Sequence, residues 1–295
     1  MTKQKRADMM LVLVTAFWGV SYLMLDICLK DIPPFNLNAI RFISAFTLLW
    51  SIFAKRIKKP SASTLKYSFY IGLCLTATYI CVTFGIKYTS ISNAGFICAL
   101  PVLFTPLFLF VFFGKKPGVK LFISLLLCTV GMALLTLNDK FVPAKGDIIC
   151  LGCAVFYSFD LIITEKAVTR TDVDPFSLGI YQLATVGILM LIFSFIFEKP
   201  HLPTTTKTWI YSLFLGIFCS GVCFLVQTTA QKWTTASRVG LIFTLEPVFS
   251  AFAAYFFAGE KLSLRGYIGA AIMIISLLLC EADIGSYFHK RRKKA

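Results

Sequence analysis

Ten apolar stretches of about twenty residues follow one another along the chain, and a series of soluble domains has no use for such runs. They cover residues 8–29, 34–54, 67–86, 91–113, 119–138, 147–167, 175–197, 209–230, 236–258 and 264–283. Each is long enough to cross a bilayer as a helix, which satisfies its backbone N–H and C=O groups within the segment. Of the 295 residues 58% are hydrophobic, with a mean hydropathy of +0.80. Ten spans of about 20 residues therefore leave only short loops and no soluble domain. Intrinsic disorder, a disulfide scaffold and a Rossmann or P-loop enzyme are excluded at this level. A β-barrel would show short alternating segments instead of continuous apolar runs. The expected fold is an all-α membrane protein of ten transmembrane helices.

The N-terminal run follows Lys3, Lys5 and Arg6, as in a signal peptide, but it carries Trp18, Tyr22 and Asp26 and lacks a small-residue cleavage site. It is therefore taken as a span. Orientation follows from the basic residues. With both termini inside, inner segments hold 20 of the 29 Lys and Arg, outer loops hold eight, and Arg41 lies within a span. That bias predicts cytoplasmic termini in a cell (inner) membrane. The net charge of +15 then reflects topology and contact with an anionic inner leaflet, not a nucleic-acid site.

An internal repeat carries the most information. Gly85–Ile97 (GIKYTSISNAGFI) aligns with Ala230–Ile242 (AQKWTTASRVGLI), and Gly114-Lys115-Lys116 with Gly259-Glu260-Lys261. Upstream, Pro34-Phe35-Asn36-Leu37 aligns with Pro175-Phe176-Ser177-Leu178, and Tyr22 falls near Asp160. Each unit then has five spans, and an odd number forces the second unit to enter the membrane from the opposite side. The expected organisation is a first repeat over 1–138, an outer loop over 139–146 and a second repeat with a basic tail over 147–295.

These residues resemble a known family. Phe17-Trp18-Gly19, Arg41-Phe42, Lys87-Tyr88-Thr89-Ser90, Glu246-Pro247-Val248 and Gly259-Glu260-Lys261 are together similar to the EamA branch of the drug/metabolite transporter superfamily. Two departures stand out: Gly114-Lys115-Lys116 replaces the more usual Gly-Glu, and Leu100-Pro101-Val102 lacks the acid of its counterpart. The resemblance implies export of amino acids, related metabolites or drugs, driven by a gradient and without a cofactor.

Polar groups at membrane depth are the candidates for this chemistry. Asp26 and Arg41 lie at comparable depth and are expected to form a structural pair or a gate. Phe156, Asp160 and Thr164 recur every fourth residue with Tyr157 alongside, which gives an aromatic and acidic face suited to a substrate ammonium. A carboxylate satisfied by hydroxyls inside the bundle is the competing reading. Trp18 and Tyr22 would line the opposite wall, with Tyr79, Tyr181, Gln182 and Gln227 as further substrate contacts. Glu246 could carry a coupling proton and Pro247 could form a hinge; a helix-end role is the alternative. The Cys150–Cys153 pair and the two histidines are not expected to bind metal. The leading expectation is a secondary exporter of small amphipathic metabolites working by alternating access, as a monomer or homodimer and possibly coupled to protons. Multidrug or organic-cation export is the runner-up, and a passive channel or a membrane-embedded enzyme fits less well.

The topology makes a direct prediction. Cysteines introduced near Lys58 and Lys116 should react with an impermeant thiol reagent only from the cytoplasm, and one near Lys145 only from outside. Labelling near Lys58 from outside would reverse the orientation.

Overall fold

The computed structural model describes residues 2–57, 59–89, 97–136, 145–258 and 263–281; for Tyr22, Leu23, Asp26, Ala254, Phe257, Ala258 and Glu281 it describes the backbone only. The Gly259-Glu260-Lys261 motif, Lys58, most of the 139–146 loop and the basic tail lie outside these residues. The described residues contain helices and no strand. In chain order the helices are α1 (Lys3–Leu29), α2 (Pro34–Ile57), α3 (Ala62–Gly85), α4 (Pro101–Phe113), α5 (Val119–Thr136) and α6 (Lys145–Val168). They continue with α7 (Pro175–Phe197), α8 (Thr206–Gln231), α9 (Ala236–Phe243), α10 (Glu246–Ala258) and α11 (Leu264–Glu281). Among the described residues six segments are long and apolar enough to cross a membrane: α2, α3, α6, α7, α8 and the α9–α10 stretch from Ala236 to Ala253. Shorter apolar helices occupy Pro101–Phe113, Val119–Leu135 and Leu264–Cys280.

Helix starts follow from side chains that accept the first free N–H groups. Ser61 accepts from Thr64 N at 3.0 Å and Thr205 from Thr208 N at 3.1 Å, while Asp174 accepts from Phe176 N and Ser177 N ahead of Pro175. Two starts are capped from a distant helix. Glu198, after α7, accepts from Phe35 N at 3.0 Å and Asn36 N at 2.9 Å and so caps α2. Glu165 of α6 accepts from Ala236 N at 2.6 Å and caps α9.

Two expected spans are broken near their centres, and both breaks sit at a proline. The ninth, expected as one helix over 236–258, divides at Thr244–Leu245, so that Glu246 and Pro247 open α10. Proline has no N–H to lose at a helix start and is favoured there. The fourth, expected over 91–113, has helical residues at 97–98, a turn at 99–100 and a helix from Pro101; residues 91–96 lie outside the described ones. The two breaks abut: a Cβ on Gly240 would lie 3.5 Å from Val102 Cα.

The helix contacts form a symmetric set. α2 lies along α7 and α5 along α11; α3 packs on α6 and α7; α1 packs on α8, α9 and α10; α4 packs on α6 and α9. Exchanging α1 to α5 with the five later spans in order maps α3 against α6 onto α8 against α1. It maps α4 against α6 onto α9 and α10 against α1, and α3 against α7 onto α8 against α2. The α2–α7 and α5–α11 seams map onto themselves. Two chain connections match in the same way. Asp31, after α1, accepts hydrogen bonds from Thr204 N and Oγ1 at the start of α8. Asp172, 141 residues on, accepts from Ser63 Oγ at the start of α3.

Glycine allows the α5–α11 seam to close. A Cβ on Gly131 would sit 2.7 Å from Gly269 O, and one on Gly269 would sit 2.5 Å from Gly131 O. Backbone cannot yield as a flexible side chain does, so Gly131→Leu should destabilise the protein by about 1–3 kcal/mol. Thermal unfolding in detergent reads this out, and a midpoint equal to wild type would mean that the two helices separate freely.

Candidate functional site

Where α1, α2, α3, α6 and α8 meet, one aromatic cluster is flanked by two buried charges. Phe224 of α8 stands at its centre, with ring centroids 5.4 Å from Trp18, 6.1 Å from Phe42 and 6.3 Å from Tyr79. Trp18 also meets Phe243 of α9 at 4.8 Å and Tyr157 of α6 at 6.2 Å. Tyr157 stacks on Phe243 at 6.2 Å. These rings come from six different helices, so the cluster depends on the whole bundle.

The cationic flank is Arg41, only 3% exposed. Its Nε donates to Ser220 Oγ and its Nη2 donates to Tyr79 Oη at 3.2 Å. The guanidinium carbon also lies 4.9 Å from the Tyr79 ring centre. Local structure makes the Ser220 contact possible. Residues Leu215–Val222 of α8 form a π-helical segment, and Gly216 within it lets α8 approach α2, since a Cβ there would lie 2.8 Å from Arg41 O. The same segment presents Cys219 O, which accepts from Trp18 Nε1 at 2.7 Å. Such π-helical insertions are frequent at functional sites.

The acidic flank is Asp160, 1% exposed. Its Oδ2 accepts from Gln227 Nε2 at 3.4 Å, and Gln227 Oε1 accepts from Tyr157 Oη at 3.1 Å. Asp160 Oδ1, Thr164 Oγ1 and Gln182 Nε2 are buried without a hydrogen-bond partner among the described residues. Unanswered polar atoms in a buried setting are costly, and they are the natural places for a ligand group to attach. Arg41 and Asp160 thus both border the same aromatic cluster, through Tyr79 on one side and Gln227 with Tyr157 on the other.

A ladder of side chains along the α2–α3 seam leads away from Arg41. Above the Phe42–Tyr79 contact at 4.8 Å comes the bond from Asn38 Nδ2 to Thr83 Oγ1 at 3.1 Å, and then the Phe35–Phe84 contact at 5.1 Å. Beyond Phe35 and Phe84 opens a cavity of about 810 Å³ at the end of the bundle, whose walls include Ile80, Lys87, Phe197 and Glu198. Two aromatic rings and one hydrogen-bonded pair separate it from the buried guanidinium.

The EamA-like transporter family model matches residues 5–137 and again residues 144–281. The chain belongs to the EamA-like transporter family. Curated relatives agree across almost their full length. An uncharacterized transporter of Archaeoglobus fulgidus is 26% identical over 96% of this chain and 88% of its own length. The uncharacterized transporter YoaV of Bacillus subtilis is 22% identical over 95% and 96%. A crystal structure at 18% identity superposes with a TM-score of 0.79 over 94% of this chain and 98% of that one, a likeness of fold. The protein is a multi-pass membrane transporter of this family.

Of the family-like residues, Trp18 and Arg41 stand in the central cluster, and Tyr79, Tyr157, Asp160 and Gln227 join them. Phe156 is 39% exposed; the 100° step of a helix brings Tyr157, not Phe156, beside Trp18. Tyr181 packs on Phe46 at 6.2 Å and donates to Ile57 O at 3.0 Å, away from the cluster. Gln182 is buried where α7 faces α3, and its backbone O lies 3.0 Å from a Cβ built on Gly72. Glu246 and Pro247 open α10 beside Gly19 of α1. The side chains of Tyr22 and Asp26 lie outside the described residues, so the partners described for Arg41 are Ser220 and Tyr79. Sequence reasoning missed Phe224 and Phe243, which look like ordinary core residues; Gly216 and Gly221 flanking Cys219-Ser220 were the available signal for the π segment.

Gln227 answers two side chains at once. Gln227→Leu should cost about 1–3 kcal/mol by leaving Asp160 and Tyr157 unpartnered, and adding Tyr157→Phe should recover part of it. Strictly additive losses in thermal unfolding would show that Tyr157 and Gln227 are uncoupled.

Proposed function

We propose that this chain is a secondary transporter, working as an exporter, for small amphipathic metabolites such as amino acids. The observation that carries this reading is the pairing of Arg41 and Asp160 across the Phe224 cluster. A carboxylate suits the guanidinium, an ammonium suits the free oxygen of Asp160 beside Trp18 and Tyr157, and an apolar side chain suits the rings. The chain acts as two inverted five-helix repeats with both ends in the cytoplasm. The matched helix contacts and the doubled family match support the repeat, and the basic-residue bias supports the orientation. Alternating access exposes the central site to each side in turn, and the 810 Å³ cavity is its outer vestibule, reached past Phe35 and Phe84. Glu246 and Pro247, at the break before α10, take part in gating or coupling.

Export of organic cations is the second reading, favoured by the unpartnered Asp160 Oδ1. Counterflow of labelled substrate in proteoliposomes tests both. Asp160→Asn keeps the shape and should leave monodispersity unchanged, while transport of a zwitterion or cation falls at least tenfold, equivalent to about 1.4 kcal/mol. A cation carried with no zwitterion transport would select the second reading. Wild-type rate, affinity and pH dependence in Asp160→Asn would remove this residue from the site.

A further inference from the structure

At the end of the bundle opposite the vestibule, a cavity of about 250 Å³ lies between the C-terminal ends of α4 and α6. Its inner walls are apolar, formed by Leu109, Phe113 and Ile162. Its mouth carries Lys115, Lys166, Thr169 and Glu165. At about 30 Å³ per water in the liquid, the space equals about eight waters, which is room for a phosphate and its glycerol.

The charges at the mouth do not cancel. Glu165 Oε2 is committed to the N–H of Ala236 at the start of α9, at 2.6 Å. Its other oxygen lies 3.9 Å from Lys115 Nζ, a loose contact in which the lysine side chain remains 65% exposed. Lys115 thus has only a long contact with a carboxylate that already answers a helix terminus, and Lys166 adds a second ammonium at the same mouth. Lys166 and the neighbouring Lys116 lie over aromatic rings: Lys166 Nζ is 5.8 Å from the Phe113 ring centre and Lys116 Nζ is 6.0 Å from that of Phe110. An ammonium above a ring, with its methylenes on apolar surface, is the posture of lysine where hydrocarbon gives way to headgroups. From the mouth, α4 continues with Phe110, Val111 and Leu107 exposed, an apolar strip running toward the hydrocarbon core.

We propose that this pocket binds the headgroup of an anionic phospholipid of the phosphatidylglycerol class. The phosphate lies between Lys115 and Lys166, the glycerol enters over Leu109 and Ile162, and the acyl chains follow α4. Basic pockets between transmembrane helices bind anionic headgroups in this manner. A phosphate that draws Lys115 toward itself leaves Glu165 to the α9 terminus alone, so bound lipid tightens the cap that ties α6 to α9. The site is separate from the central cluster, and its occupancy does not depend on what the protein transports.

The test uses the full chain in neutral detergent, with phosphatidylglycerol or phosphatidylcholine of the same acyl chains added. Thermal unfolding and native mass spectrometry are the readouts. Phosphatidylglycerol should raise the midpoint by several degrees and be retained at least tenfold better than phosphatidylcholine. Lys115→Gln with Lys166→Gln should abolish both effects, whereas Lys199→Gln with Lys207→Gln, an equal loss of charge at the other end, should keep them. If the glutamine pair lowers the midpoint by itself, the paired changes to arginine should keep lipid retention. The proposal fails if phosphatidylcholine does as well, or if both glutamine pairs respond alike, which would indicate a diffuse surface potential. It also fails if inorganic phosphate or glycerol phosphate gives the full shift, which would indicate a site for a free anion.

Discussion

A guanidinium inside a transmembrane bundle has no water to satisfy it, so the protein has to be built around it. For Arg41 that requirement reaches three helices. Tyr79 must arrive from α3 with its hydroxyl at hand, Ser220 must arrive from α8, and α8 must come close enough to α2 for a short side chain to suffice. The last condition explains Gly216 and the π-helical turn from Leu215 to Val222. A regular helix would present a different residue at that height. The same irregularity presents Cys219 O to Trp18, so one local departure in α8 positions both the cationic flank and the aromatic wall.

The acidic flank is built on a different principle. Asp160 receives one hydrogen bond from Gln227, and its second oxygen has no partner among the described residues. A residue kept only for stability would be expected to have both oxygens answered or to be replaced by an apolar group at little cost. Among the described residues Arg41 makes two side-chain hydrogen bonds and Asp160 makes one, so each charge keeps hydrogen-bonding capacity that a ligand would meet. This contrast lies in the hydrogen bonds and is invisible in the pattern of residues, where both read as single charges in apolar runs.

The apolar runs and the repeat made the helical class and the family legible in the sequence, because hydrophobic length and residue order directly reflect what a bilayer demands. The central residues were partly legible: Trp18, Tyr79, Tyr157, Asp160 and Gln227 stand out because aromatic, amide or acidic groups interrupt apolar faces. Phe224 was not, since one phenylalanine among 30 carries no mark of its position. Phe156 and Tyr157 show the limit of periodicity. Adjacent aromatic residues differ by 100° around the helix axis, and only packing against Trp18 decides which faces inward. The helix break before α10 was legible as Pro247, but its contact with the break at Pro101 through Gly240 is a tertiary fact.

The strength of the contacts is distributed unevenly along the bundle, in a way that suits a carrier. The α5–α11 seam is held by backbone approaching backbone at Gly131 and Gly269, contact that cannot open without separating whole helices. The ends are tied differently, by the matched pairs Asp31 with Thr204 and Asp172 with Ser63, which are exposed hydrogen bonds. Single exposed contacts of this kind are weakened by competing water and contribute little. Hydrogen bonds from Thr204 and Thr208 hold the Asp31 carboxyl below the usual carboxylate range, and Arg170, with Ser63, does the same for Asp172. A lowered pKa means that each tie is present at neutral pH and is lost only as pH falls through that lowered value, so protonation in the neutral range does not release either end. Breaking these two ties therefore requires no titration in the neutral range, whereas the α5–α11 seam does not yield without separating helices.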